Sequence, residues 1–239
     1  VMERRKGVVL DQDLPSEFAA DAATHRAIAE SLVGVLVALH AVHWQAAGLG
    51  EISRPEGYLQ RQVRGWLDRY ARVQTVDVSE MVAVSTWLLE RQPQSPPATV
   101  LHNDYKLNNV LLDVDDPRRI TAVLDWEMAT VGDPLCDVAS LLVYWTEPGE
   151  EEMLGGLRSV TALPSFPRRW EVAHMYARAS GRDLSSLDWY IGFAYFRLAV
   201  ICQQIFYRWK VGQTRDERFA GHERVACNLV RQAARVLAS

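Results

Sequence analysis

Through the first ninety residues the apolar positions recur every third or fourth place. Ile28, Leu32, Val35, Leu36, Leu39 and Val42 step in this way from Thr24, which predicts a helix with one buried face ending near Trp44. Gly48, Gly50 and Pro55 punctuate the loop that follows. Pro55 suits the opening of a second helix running to about Gln74, because the first N–H groups of a helix have no internal partner and proline lacks one. A third helical stretch, from about Ser79 to Arg91, halts before Pro93-Gln94-Ser95-Pro96-Pro97. Ahead of these, Val8 to Leu10 reads as a short strand and Asp11 to Ser16 as a polar link.

The texture then changes. Val100-Leu101, Val110-Leu111-Leu112 and Ile120 to Leu124 are short runs of β type. Asp115-Asp116-Pro117 is a turn between the last two, which predicts a hairpin. Beyond Pro134 the pattern is helical to the end of the chain. The stretch from Trp189 to Trp209 is apolar nearly all round, the mark of a central helix. The expected fold class is α+β: a mainly helical body with a small β-hairpin insert.

Composition narrows the class without naming it. Of 239 residues, 49% are apolar and 23% charged, ordinary values for a globular chain. The net charge of −4 supplies no basic field to attract nucleic acid or an anionic membrane. Cys136, Cys202 and Cys227 are scattered and odd in number, without paired spacing, which argues against a disulfide framework and fits a reducing cytoplasm. The uncharged stretch from Ser31 to Gly50 has an apolar heart, Leu32 to Val42, shorter than the ~20 residues a bilayer requires. It reads as a buried helix, and no membrane partner is expected. The opening residues, Val1-Met2-Glu3-Arg4-Arg5-Lys6, lack the apolar run of a signal peptide.

Polar residues with chemical potential concentrate between the first two β runs and just after the third. Asp104 and Asn109 are five places apart in His102-Asn103-Asp104-Tyr105-Lys106-Leu107-Asn108-Asn109, and Asp125 ends the later run. Phosphoryl transfer needs a carboxylate to orient a hydroxyl and take its proton, and hard oxygen ligands for the magnesium that bridges the phosphates. A D-x-x-x-x-N loop followed by a strand-terminal Asp has that spacing. It casts Asp104 as base and Asn109 and Asp125 as Mg2+ ligands. Lys106, two places after the base, is positioned to neutralise charge on the transferring group.

These segments, with Gly132-Asp133-Pro134-Leu135 and Asp137, resemble the phosphotransferase family of aminoglycoside and macrolide kinases. The resemblance is to the branch also found fused to acyl-CoA dehydrogenases. It extends to Leu39-His40-Ala41-Val42, Arg54-Pro55-Glu56-Gly57-Tyr58 and Gln204-Ile205-Phe206-Tyr207-Arg208. It implies a protein-kinase-like fold, ATP as co-substrate, Mg2+ as cofactor and a small-molecule hydroxyl as acceptor. Residues 1–10 resemble the hinge of such kinases, where the backbone of Met2 and Glu3 would contact adenine. Residues 11–239 then form the C-terminal lobe as a single domain. The N-terminal lobe, with its phosphate-covering loop and lysine, is expected as a missing partner, without which the chain would bind ATP poorly. A homodimer is admitted as an assembly. Asn103 departs from the family's usual glycine, although Asn tolerates left-handed backbone angles.

For the acceptor, the resemblance to the dehydrogenase-fused branch implies a hydroxy-acyl compound, favoured over an aminoglycoside or a macrolide. The late helices, aromatic and bearing Arg197, Arg208 and Lys210 rather than acidic clusters, lean away from a cationic aminoglycoside. Two other readings stand beside this one: a catalytically silent kinase-like binding module, and a metal-dependent hydrolase using His102, Asp104 and Asp125. Several neighbouring residues read as structural. His102 packs beneath the loop and bonds backbone, Asp133 caps a helix, and His40 and His43 form a core and rim pair. Arg197, inside an apolar helix, requires a partner or a cavity to face. Glu127 is read equally as a metal-adjacent carboxylate or as a loop residue.

Overall fold

The computed structural model describes residues 3–150 and 159–238. In chain order the elements are α1 (Ala22–His40), α2 (Tyr58–Val73), α3 (Glu80–Glu90), β1 (Thr99–Leu101), β2 (Val110–Leu112), β3 (Ile120–Val123), β4 (Thr130–Gly132), α4 (Pro134–Tyr144), α5 (Arg169–Ser180), α6 (Leu187–Lys210) and α7 (His222–Leu237). Helices dominate and the strands are short, so the class is α+β as expected. The described residues divide into two compact units: residues 3–55, 96–150 and 159–184 belong to the first, and residues 56–95 and 185–238 to the second.

In the first unit, the Asp21 carboxylate starts α1 by accepting from the Thr24 N–H at 2.7 Å. Ile28, Leu32 and Leu36 are fully buried, and α1 packs on α5 and β1. The helix stops at His40 rather than near Trp44: Val42 is exposed, and residues 43–49 close two overlapping turns through Ala47 N–H to His43 O and Leu49 N–H to Trp44 O. The apolar step at Val42 therefore continued the pattern without continuing the helix. α4 begins at Pro134 with Asp133 as its N-cap, as expected, and is buried from Pro134 to Val143.

Strands β2 and β3 form the expected antiparallel hairpin, Val110 opposite Val123 and Leu111 opposite Ala122, with an irregularity between Leu111 and Leu112. Val8 makes a single bridge rather than a strand, exchanging both backbone bonds with Leu112 at 2.8 and 2.9 Å. The close crossing beside it requires Gly7, since a Cβ there would lie 2.6 Å from Leu112 O. A second ladder, β1 with β4, pairs Val100 with Val131. The sequence pattern had not indicated β4.

In the second unit α6 packs along α7, with α2 against α6 and α3 against α7. α2 starts at Tyr58, not at Pro55, because Gly57 turns the chain through a left-handed conformation (φ 64°) immediately before it. Its buried face is Leu59, Val63, Trp66 and Tyr70. The Arg197 guanidinium of α6 lies 5.6 Å from the Trp66 ring centre, and Arg69 lies 4.6 Å from the same ring. Gln203, buried in α6, donates to Val73 O at 2.9 Å and Thr75 Oγ1 at 2.7 Å. It closes the end of α2 against the long helix.

Candidate active site

The loop from β1 to β2 and the turn after β3 lie side by side. The N–H of Leu124 donates to the carbonyl of Asn109 at 2.8 Å, continuing the hairpin ladder by one bond. Asp125 is the next residue, so it emerges beside Asn109. Its backbone is left-handed (φ 63°), which halts the strand and begins a short 3-10 turn at Trp126–Met128.

Within the loop, Asp104 is held from two sides. Lys106 Nζ meets its two carboxylate oxygens at 2.9 and 2.8 Å. Asn109 Nδ2 donates to Asp104 Oδ2 and to its backbone carbonyl, both at 2.9 Å. Because both Asn109 contacts are to oxygens, its amide orientation is fixed. Nδ2 faces Asp104, and Oδ1 makes no hydrogen bond among the described residues. The Asp104 and Lys106 side chains remain 27% and 19% exposed, enough for a reactant to reach them.

The loop is anchored from beneath. His102 is fully buried. Its Nε2–H donates to Leu124 O at 2.7 Å, and its Nδ1 accepts from the Asp104 N–H at 3.3 Å. The ring is therefore the neutral Nε2–H tautomer, a structural tie between the two loops. With both nitrogens engaged it has no lone pair for a metal, which removes a ligand from the hydrolase reading. The His102 N–H donates to Asp137 Oδ2 at 2.7 Å. That oxygen also faces His40 Nε2 at 3.4 Å, and His40 Nδ1 meets the Tyr176 hydroxyl at 2.7 Å. Burial pushes the Tyr176 phenol up to about 12. Tyr105 turns inward and donates to Leu32 O on α1 at 2.8 Å, and burial drives its phenol far above the ordinary value. Asn103 adopts φ 58°, and its Nδ2 donates to Met128 O at 3.0 Å. It makes the turn a glycine would make and adds a tie to the second loop.

The structure thus brings Asp104, Lys106 and Asn109 into direct contact and places Asp125 at the adjoining strand end. Glu3 is exposed and pairs with Arg5 at 2.9 Å. Met2 lies outside the described residues. Glu127 is exposed, and His43 is exposed while His40 is buried. Sequence reasoning missed Tyr144, whose ring faces Lys106 at 4.5 Å, and the Tyr176 end of the buried network. Neither lies within a spacing that marks it.

The donor set suits magnesium. Asn109 Oδ1 and the Asp125 carboxylate are hard oxygens, and Asp125 is exposed. Mg2+ is commonly held by one or two such groups together with phosphate oxygens and water. Among the described residues no group of three His, Cys, Asp or Glu side chains is placed to hold a metal by itself.

A helix-rich chain with two short antiparallel ladders and an Asp–Lys–Asn cluster in a loop has the arrangement expected of a kinase-like phosphotransferase. Residues 1–176 match the model of the APH phosphotransferase enzyme family, and the chain belongs to that family. It is 31% identical over 221 residues to acyl-CoA dehydrogenase family member 11 of Rattus norvegicus, covering 91% of this chain and 28% of the relative. It is 32% identical over 218 residues to acyl-CoA dehydrogenase family member 10 of Mus musculus, covering 89% of this chain and 20% of the relative. The chain therefore spans less than a third of either protein. A solved structure of a candidate aminoglycoside phosphotransferase from Ralstonia eutropha JMP134 superposes with a TM-score of 0.86 at 29% identity, over 99% of this chain and 72% of that one. A macrolide 2'-phosphotransferase from Brachybacterium faecium shares the fold, with a TM-score of 0.57 at 22% identity over 94% of this chain and 67% of that one. Family and neighbours together support a small-molecule kinase-type enzyme.

Proposed function

We propose that this chain carries the catalytic loop and metal-ligand set of an ATP- and Mg2+-dependent kinase acting on a small-molecule hydroxyl. The observation that carries the reading is the double hold on Asp104, by Lys106 from one side and Asn109 Nδ2 from the other. A carboxylate fixed in this way accepts a proton along one direction, which suits a base that must meet an incoming hydroxyl. As the acceptor oxygen bonds to the γ-phosphorus, its proton passes to an Asp104 oxygen and the β–γ bridging bond breaks, releasing ADP. Lys106 neutralises charge on the moving phosphoryl group. Asn109 Oδ1 and Asp125 would hold Mg2+, which when bound would neutralise charge on the phosphate oxygens. Adenine is assigned to the backbone of Met2 and Glu3, and the opposite wall of the nucleotide pocket to an N-terminal lobe joined at that stretch.

A hydroxy-acyl compound is the favoured acceptor. Two of the similar proteins bear acyl-CoA dehydrogenase names, and the late helices are aromatic and arginine-bearing rather than acidic. The test is MgATP consumption by the full reading frame containing residues 1–239, offered 3-hydroxybutyryl-CoA, kanamycin or erythromycin. Asp104→Asn serves as the blank, and loss of the base is expected to slow transfer by about 10²–10⁴-fold. Undiminished transfer in Asp104→Asn would remove Asp104 from the base role. Faster transfer to kanamycin than to the acyl thioester would overturn the acceptor class.

A further inference from the structure

Lys106 is the ammonium closest to the proposed chemistry, and its surroundings are unusual for a lysine. Two of its contacts are the oxygens of Asp104, at 2.9 and 2.8 Å. The ring of Tyr144, the last residue of α4, lies 4.5 Å from Nζ. The lysine is thus held between a carboxylate and an aromatic face in a part-buried position. A cation over an aromatic face gains most when water is excluded, and the face imposes no hydrogen-bond direction. The ammonium can therefore give up a carboxylate oxygen and turn toward a phosphoryl oxygen without losing its second partner.

We infer that Tyr144 is a positioning residue for phosphoryl transfer: its ring holds the Lys106 ammonium while Lys106 exchanges an Asp104 oxygen for an oxygen of the transferring group. The freed Asp104 oxygen is then the one that receives the acceptor proton. The inference rests on the kinase reading of the site, since it assigns Lys106 its charge-neutralising part. α4 is suited to this task because it is rigidly placed. Asp133 caps its start, and Asp137 within it accepts from the His102 N–H at 2.7 Å. The helix that presents Tyr144 is thereby tied to the loop that presents Lys106.

The contact and its consequence are tested separately. The chain contains three lysines, Lys6, Lys106 and Lys210, so reductive 13C-methylation gives few signals, and Lys106→Arg assigns the one of interest. An upfield ring-current shift is expected at Lys106, retained in Tyr144→Phe and lost in Tyr144→Leu. An unshifted Lys106 signal that Tyr144→Leu leaves in place overturns the contact, whatever the protein's activity.

The consequence is read from ADP release in the full reading frame, with 3-hydroxybutyryl-CoA and with water alone as acceptor. Tyr144→Leu is expected to lower kcat about tenfold at little cost in KM for MgATP, and Tyr144→Phe to restore it. In a Lys106→Met background the Leu change is expected to cost nothing further. Equal kcat for the Phe and Leu variants, or the same tenfold loss on top of Lys106→Met, overturns the positioning role. Absence of ADP release from the unaltered protein with either acceptor counts against the kinase reading, and the 13C signals still decide the contact.

Discussion

Asp137 and His102 are joined by a buried hydrogen bond, Oδ2 accepting from the backbone N–H at 2.7 Å. The same oxygen faces His40 Nε2 at 3.4 Å. One carboxylate therefore ties α4, the end of α1 and the root of the Asp104 loop together. Removing it leaves a buried N–H and a buried imidazole N–H without an acceptor. Asp137→Ala is expected to destabilise the protein by about 3 kcal/mol. Asp137→Asn keeps an oxygen for the His102 N–H and is expected to cost about 1–2 kcal/mol. Urea unfolding midpoints check both, and equal stability of Asp137→Ala and the unaltered protein would show that the tie is not needed.

Asn103 performs two tasks that a substitution can separate. Its backbone sits at φ 58° and its side chain donates to Met128 O at 3.0 Å. Asn103→Gly keeps the backbone angle and loses the bond, for an expected cost of about 1 kcal/mol. Asn103→Ala loses the bond and strains the backbone, for about 2 kcal/mol or more. Thermal unfolding of the two variants should give that order. The reverse order would mean that the turn does not depend on its left-handed residue.

His25 gives the fold an acid-sensitive point. It stacks on Phe166 with ring centres 4.1 Å apart, and its Nδ1 meets Ser165 Oγ at 2.8 Å. Burial lowers its pKa from the ordinary 6.5, while the Asp21 charge pulls weakly the other way. The unfolded chain therefore takes up the proton first as pH falls. The stability tied to a neutral His25 is whole above the unfolded pKa of 6.5 and is lost as pH drops through the window below it. Urea midpoints at about pH 7.5 and about pH 5.5 should fall further in the unaltered protein than in His25→Gln. An identical fall in both assigns the acid sensitivity elsewhere.

The second unit offers a change whose sign depends on one neighbour. A methyl added at Gly192 of α6 would overlap Leu237 Cδ2 and Cγ on α7. Gly192→Ala is expected to cost about 1 kcal/mol, since Leu237 is half-buried at the end of its helix and gives way in part. In a Leu237→Ala background the same change should instead stabilise by up to about 1 kcal/mol, because alanine is the better helix former. Denaturant titration of the four proteins checks the reversal.

The hairpin was legible because Val110 to Leu112 and Ile120 to Leu124 are compact apolar runs around an Asp-Asp-Pro turn. β4 was not, since in Thr130-Val131-Gly132 a lone valine is the apolar residue and the strand exists only through its pairing with β1. The α1 boundary failed for a related reason. Val42 kept the helical spacing, yet it is exposed, and the buried anchor of that helix end is His40. At the site, Asp104 and Asn109 were readable because a short loop fixes both in one segment. His40 was readable as a core residue but not as a support of the loop, and Tyr144 and Tyr176 were not readable, because their meeting with the loop is made by helices distant in sequence. Spacing records neighbours within a segment and leaves no trace of partners that folding brings from elsewhere.

The crossing at Val8 has a mechanical consequence. Two backbone bonds fasten Val8 to Leu112, and Thr121 Oγ1 adds a third by donating to Lys6 O at 2.8 Å. Leu112 and Thr121 belong to the two strands whose opposite ends lead to Asn109 and Asp125. Force applied to the chain ahead of Glu3 would thus load the hairpin in shear, across both strands at once, before it reached any helix. Asn109 and Asp125, the proposed holders of Mg2+, stand a few residues down the same two rails, so a pull at the front of this chain would be carried toward them.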